Sequence, residues 1–253
     1  MSTLSIITPA YRPSEEHLLA AYESIREQVL PVGWSWEWIV QEDGDTGVLE
    51  SLLPADPRIS IGSGRRGGAG VARTLALGRA SGELTKALDA DDLLAPGALA
   101  RDIEALDASP DIGWSTCRAL DLLPDGTTVD FDGAPADGRV PSGTLFEYWH
   151  QNSYRLQVVP GTLCIRTDLA LALGGWMALP ASEDTGLLLA ADAVCDGWFS
   201  TEVGLLYRQW PGQSTAQAAH TDDDDKLARS RVIERRVQAL AAMRSFSYSQ
   251  GGS

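Results

Sequence analysis

Cysteine, histidine and positive charge are all scarce in this chain. Three cysteines, Cys117, Cys164 and Cys195, are odd in number and far apart, and with the three histidines, His17, His150 and His220, they form no metal-ligand spacing. A disulfide framework and a Cys/His metal site are excluded, and the thiols read as free in a reducing cytoplasm. Lysine and arginine number 20 against 35 aspartates and glutamates, a formal charge of -15. Such a surface repels phosphate polymers and anionic lipid, so nucleic acid is a poor partner. No window reaches about eighteen uncharged apolar residues, and Met1-Ser2-Thr3 enters an apolar run without a basic leader or cleavage site. An integral membrane protein and a secreted one are both disfavoured, and the expected location is cytoplasmic.

What is present suits a folded α/β enzyme. The 253 residues are 44% hydrophobic and 22% charged, and a chain of this mass is able to bury about 70% of its extended surface. One compact unit is expected over residues 1–245: a donor half (1–110), an acceptor half (111–220) and a C-terminal helix (221–245), with a loose tail over 246–253. Leu4-Ser5-Ile6-Ile7 reads as a buried strand stopped at Thr8-Pro9, and Ser14 with Glu15 and Glu16 as the start of a helix carrying Leu18, Tyr22, Ile25 and Val29 at helical spacing. Further strands are expected at 36–40, 59–61 and 84–88, with a helix over 69–80 between the last two. This alternation predicts a mostly parallel sheet. Beyond residue 110 the pattern changes. Pro124-Asp125-Gly126 marks a hairpin between 113–123 and 127–131, followed by a helix at 145–150, a strand near 162–165, a helix at 183–195, short strands near Phe199 and at 205–208, and a last helix from Thr221. The acids Asp222 to Asp225 suit the positive end of that helix, since no calcium-loop spacing follows them.

In an open parallel sheet ligands gather beyond the carboxyl ends of the strands, so four strand exits carry the candidate chemistry. Thr8-Pro9-Ala10-Tyr11 offers an aromatic face for a base, or ordinary packing. Glu42-Asp43-Gly44-Asp45 offers a carboxylate for a base imino proton, or a turn. Gly64-Arg65-Arg66-Gly67-Gly68-Ala69-Gly70 allows backbone amides to approach phosphate oxygens where a helix begins. Leu88-Asp89-Ala90-Asp91-Asp92 crowds three carboxylates at the end of an apolar strand, an arrangement whose repulsion a hard divalent cation, Mg²⁺ or Mn²⁺, relieves. The alternative for these acids is a turn that caps the helix starting near Pro96.

Taken in order, Thr8-Pro9-Ala10-Tyr11, Glu42-Asp43-Gly44, Gly68-Ala69-Gly70-Val71-Ala72-Arg73 and Asp89-Ala90-Asp91-Asp92 resemble family 2 glycosyltransferases of the GT-A fold. Gly174-Gly175-Trp176 and Ser182-Glu183-Asp184 are similar to that family's acceptor-side stretch and Glu-Asp pair, and the resemblance spans about residues 4 to 210. It implies a Rossmann-like α/β sheet with a smaller mixed acceptor region, and transfer of one sugar, with inversion, from a UDP- or dTDP-sugar to a hydroxyl of a soluble small-molecule or glycan acceptor. It further implies that Pro9, Tyr11, Asp43 and Gly68 line the donor site with Arg73, Asp89 and Ala90. Asp91, the last Asp of the DXD motif, would bind Mn²⁺ or Mg²⁺. Asp184 would be the general base and Glu183 would orient the acceptor, with Gly175 and Trp176 forming the acceptor-side wall.

One position departs from the family. After Tyr207-Arg208, where many relatives place a histidine, stands Trp210, whose indole cannot ligate a metal, and His220 is the other candidate ligand. The Gln-x-x-Arg-Trp pattern of processive synthases is missing. A dehydrogenase is excluded because the glycine cluster follows the third strand and not the first. A sugar nucleotidyltransferase would need a glycine-rich, Arg-containing loop directly after the first strand. A nucleotide-sugar-binding module without catalysis remains the alternative from another class.

Overall fold

The computed structural model describes residues 1–131, 133–213 and 222–250, with only the backbone course from 244 to 250. Among them, ten strands form one sheet: β1 (Ser2–Ala10), β2 (Trp34–Glu42), β3 (Ile59–Gly62), β4 (Leu84–Ala87), β5 (Leu93–Leu94), β6 (Ile112–Leu122), β7 (Thr128–Asp130), β8 (Gly138–Val140), β9 (Cys164–Arg166) and β10 (Asp196–Arg208). The spatial order is β3-β2-β1-β4-β9-β6-β10-β5, with β7 added to β6 and β8 to β10. The first four strands pair in parallel, as the alternation of strands and helices predicted. Beyond them the sheet is mixed. β9 runs antiparallel to both β4 and β6, whereas β6 and β10 are parallel.

Helices α1 (Glu15–Arg26), α2 (Leu49–Leu52), α3 (Ala69–Leu77), α4 (Ala98–Ala108), α5 (Thr144–Gln151), α6 (Thr167–Ala172), α7 (Glu183–Val194) and α8 (Asp223–Gln250) cover the sheet. Alternation along the strands divides the core in two. Leu4, Ile6, Trp36, Trp38 and Val40 face the cluster that holds α1 and α4. Ile7 and Ile39 face the cluster that holds α3, α5, α6, α7 and α8. Apolar residues on both faces are what a sheet sandwiched by helices requires. At its centre Lys86 is fully buried, with Nζ 2.7 Å from Asp102 Oδ2 and 2.6 Å from the Thr162 carbonyl, while Ser115 donates to Asp102 Oδ1 at 2.7 Å. Burial alone would lower the Lys86 pKa, but the Asp102 carboxylate holds it above its ordinary value.

Several expectations are corrected. Pro9 does not stop β1: pairing with β2 runs on to Ala10, and only pairing with β4 ends at Ile7. The two short strands near Phe199 and 205–208 are one strand, β10, whose register shifts on β6 at Ser200/Val203 and Val203/Leu205 mimic a break in the sequence pattern. The chain is helical through Gln250, so the loose tail drawn from residue 246 is replaced there by α8, and Gly251 to Ser253 lie outside the described residues. Thr221 and His220 also lie outside them. No described helix is long and apolar enough to cross a membrane.

Candidate active site

The exits of β1, β2 and β3 are sewn together by backbone bonds, Asp43 N–H to the Ala10 carbonyl and Gly64 N–H to the Gly44 carbonyl, each 2.8 Å. Glu42 is consumed inside this turn, accepting from the amides of Thr46 (3.1 Å) and Gly47 (3.2 Å) and from the Thr46 hydroxyl. These bonds hold its pKa below the usual carboxylate value in spite of burial, the largest influence on it. Asp43 Oδ1 accepts from the amides of Gly67 (2.6 Å) and Gly68 (3.0 Å). The glycine loop expected to meet phosphate thus has two of its amides on a side chain of β2's exit. Gly68, at φ +90°, makes the turn into α3 that a Cβ would strain. Tyr11, just past β1, is 42% exposed, and the Arg66 and Arg12 guanidiniums lie 4.2 and 5.4 Å from its ring centroid. The ring belongs to neither core cluster, and two guanidiniums already lie within cation–π range of it.

β4 ends at Ala87, and the acidic turn follows it. Its three carboxylates have three different partners. Asp89 pairs with Arg73. Asp91 Oδ2 accepts from the Trp210 indole N–H at 2.6 Å. Asp92, buried, accepts from the Arg208 amide at 2.9 Å, while the Arg208 guanidinium donates to the Asp91 carbonyl at 2.7 Å. Burial first, then the charge of Asp89, push the Asp91 pKa up, against the Trp210 bond. Burial and the charges of Asp89 and Asp91 push Asp92 well above its ordinary value. His17, from α1, sets its ring edge-on to Trp210 with centroids 5.1 Å apart. Burial and then Arg208 lower its pKa, with Asp91 opposing them. Trp210, the position noted as departing from the expected pattern, thus bonds the aspartate expected to hold a metal. Among the described residues no group of three His, Cys, Asp or Glu side chains is placed to hold a metal ion.

The Glu183-Asp184 pair opens α7. Glu183, buried, accepts from Arg73 Nη1 at 2.6 Å. Asp184, half-buried, accepts from the Thr185 amide at 2.6 Å. Its pKa is pushed up to about 6 by burial and then by Glu183, with Arg73 pulling it down. Arg73 is 4% exposed and lies between Asp89 and Glu183, so one cation joins the two halves of the site. Burial would lower its pKa, and Asp89, Glu183 and Asp184 together raise it. Trp176, expected as a pocket wall, is 3% exposed in the second core, with its carbonyl bonded by Thr74 Oγ1 at 3.0 Å. Gly175, at φ +70°, bonds the Ala170 carbonyl at 2.9 Å and ends α6.

Two partners escaped sequence reading. The Arg73–Glu183 pair spans 110 positions and the Trp210–Asp91 bond 119, and no local pattern reports pairings of that range. Trp210 was visible as an oddity, but only folding shows what it touches.

A mixed sheet flanked by helices, with an acidic turn past one strand and a Glu-Asp pair opposite, defines the class: the fold is that of GT-A glycosyltransferases. Residues 5–121 match the model of glycosyl transferase family 2. The structure of S. aureus TarS 1-349 in complex with UDP-GlcNAc superposes with a TM-score of 0.72 at 19% identity, over 100% of this chain and 74% of that one. The complex of the same protein with UDP gives 0.65 at 18%, over the same shares. An uncharacterized protein, y4gI of Sinorhizobium fredii, is 32% identical over 114 residues, 43% of this chain. The chain spans only 12% of the length of that curated relative.

Proposed function

We propose that this chain transfers a single sugar from a UDP-sugar, or a dTDP-sugar, to a hydroxyl group, with inversion at the anomeric carbon. The observation that carries the reading is the placement of the Asp89–Asp92 turn and the Glu183-Asp184 pair on opposite sides of one buried arginine. Such a transfer passes through an oxocarbenium-like state in which the leaving phosphate gains negative charge while the acceptor hydroxyl loses a proton. Two tasks require two sites. Asp184, with a pKa of about 6, is ionised at neutral pH and basic enough to take that proton. Tyr11, exposed at the exit of β1, and Asp43, through the carboxylate oxygen not bonded to the glycine loop, face the nucleoside end.

The acidic turn fits a divalent cation by its chemistry. Its donors are hard oxygens, and after Asp89 is neutralised by Arg73 the charge of Asp91 has only a neutral indole partner. Asp91 Oδ1 would hold Mn²⁺ or Mg²⁺, the remaining positions falling to diphosphate and water. When bound, the ion neutralises charge on the leaving group. The UDP complexes of the TarS neighbours favour uridine. A second reading, a module that binds nucleotide-sugar without turning it over, draws on the engagement of Asp91 by Trp210.

The test is release of UDP from UDP-GlcNAc and related donors across an acceptor panel, together with calorimetry of UDP with Mn²⁺ or with chelator. Acceptor-dependent release and at least tenfold weaker UDP binding under chelator are expected. Tight UDP binding with no release for any acceptor would support the module. Equal affinity with and without chelator would remove the cation.

A further inference from the structure

We infer that Arg73 is a positioning residue: by bridging Asp89 and Glu183 it fixes the Glu183-Asp184 pair against the acidic turn, and it is not itself a contact for the donor. The inference rests on the transfer reading above, in which Asp184 is the base. Both terminal nitrogens of Arg73 are committed to carboxylates, Nη1 to Glu183 at 2.6 Å and Nη2 to Asp89, and the side chain is 4% exposed. A phosphate seeking this guanidinium would have to displace one of two charge-assisted bonds in a dry setting, where leaving a carboxylate unpaired is costly. The backbone around it is built for proximity. Gly70, one turn before Arg73, faces the Met177 carbonyl and the Glu183 Cβ so closely that a Cβ there would overlap the first and lie 3.0 Å from the second. The start of α3 is therefore pressed against the start of α7, and Arg73 crosses that seam.

Glu183 is held by this bond and is not free to swing toward an acceptor, which makes it a member of the support for Asp184. The charged groups around Asp184 are Glu183 beside it, Arg73 from α3 and Asp89 from the acidic turn. Packed on α7, α8 adds Arg236, directed at the carbonyls of Gly186 and Leu173. Of these, Arg73 is the cation whose removal would leave three acids facing one another. Asp89 also lies in the field of Asp91, so the bridge connects the base electrostatically to the donor side.

The experiment compares wild type with Arg73→Gln, Arg73→Lys and Glu183→Gln, reading kcat, donor KM, UDP affinity and the pH dependence of kcat/KM. Arg73→Gln is expected to lower kcat ~10²-fold, as a displaced catalytic group does, with donor KM and UDP affinity within about twofold. Its acidic limb should move to higher pH. Arg73→Lys should return the limb to the wild-type position while restoring only part of kcat, since ammonium cannot bridge as a fork does. A rise in donor KM or a loss of UDP affinity with kcat intact would overturn the inference and make Arg73 a donor contact. So would an unchanged kcat and limb. If Arg73→Gln loses its cooperative unfolding transition, Arg73→Lys and Glu183→Gln decide by the same readouts. If wild type itself transfers nothing, the transfer reading fails. The bridge is then judged by UDP affinity and by carbon-13 NMR titration of the Asp184 carboxylate, whose midpoint should rise in Arg73→Gln and stay put if Arg73 does not act on it.

Discussion

Asp184 shows how environment sets chemistry at a single residue. A carboxyl in the first turn of a helix ordinarily gains acidity from the helix end, yet burial and Glu183 raise this one to about 6. A base works deprotonated, so log kcat/KM should climb with a slope of about one below pH 6 and level off above it. A profile flat from pH 5 to 8 would point to another base. Asp184→Asn should lower kcat by at least ~10²-fold while UDP affinity, measured by calorimetry, stays within about twofold. Residue types at the strand exits were legible in the sequence because such exits are few and their acids stand out among apolar strands. Partnerships were not. Asp43 looked free for a base and proves tied by one oxygen to Gly67 and Gly68, and Trp176 looked like a wall and proves to be core. Composition names candidate groups, but only geometry says which hydrogen bonds they have already spent.

Among the elements, β2, β3, β4 and α1, α3 and α7 fell close to their expected bounds, because each carries an apolar run long enough to show its period, and α1 and α3 add a Ser14 cap and a Gly78 stop. β5 and β8, two and three residues long, were invisible, since so short a segment has no period to read. β10 was split because its register shifts interrupt the alternation. The contact of α3 with α7 depends on one small residue. Gly70→Ala would gain roughly 1 kcal/mol of helix propensity, but the overlap with the Met177 carbonyl, a backbone atom that cannot rotate away, costs roughly 1–3 kcal/mol. The overlap wins. Thermal unfolding should show a lower midpoint, and kcat should fall more than donor KM changes, because the helix starts that are pushed apart carry Arg73 and Glu183.

On the scale of the molecule, Lys86 and Asp102 fasten β4 to α4 through the middle of the sheet, with Ser115 of β6 and the Thr162 carbonyl completing the set. Asp102→Ala would strand a buried ammonium and should destabilise the chain by roughly 3–5 kcal/mol. Urea unfolding measures this, and replacement of both partners by apolar residues should recover much of the loss. A midpoint within error of wild type for Asp102→Ala would mean the pair carries no such burden. The order of strands adds a different consequence. The stretch that bears the recognisable family signature, residues 5–121, includes β4 and β6 but not β9, which lies between them. Synthesised alone, that half would have an open slot in the middle of its sheet, with two unsatisfied edges inviting β-strands of other molecules. On the ribosome, the sheet begun by residues 5–121 cannot close until the later part of the chain has delivered the missing strand.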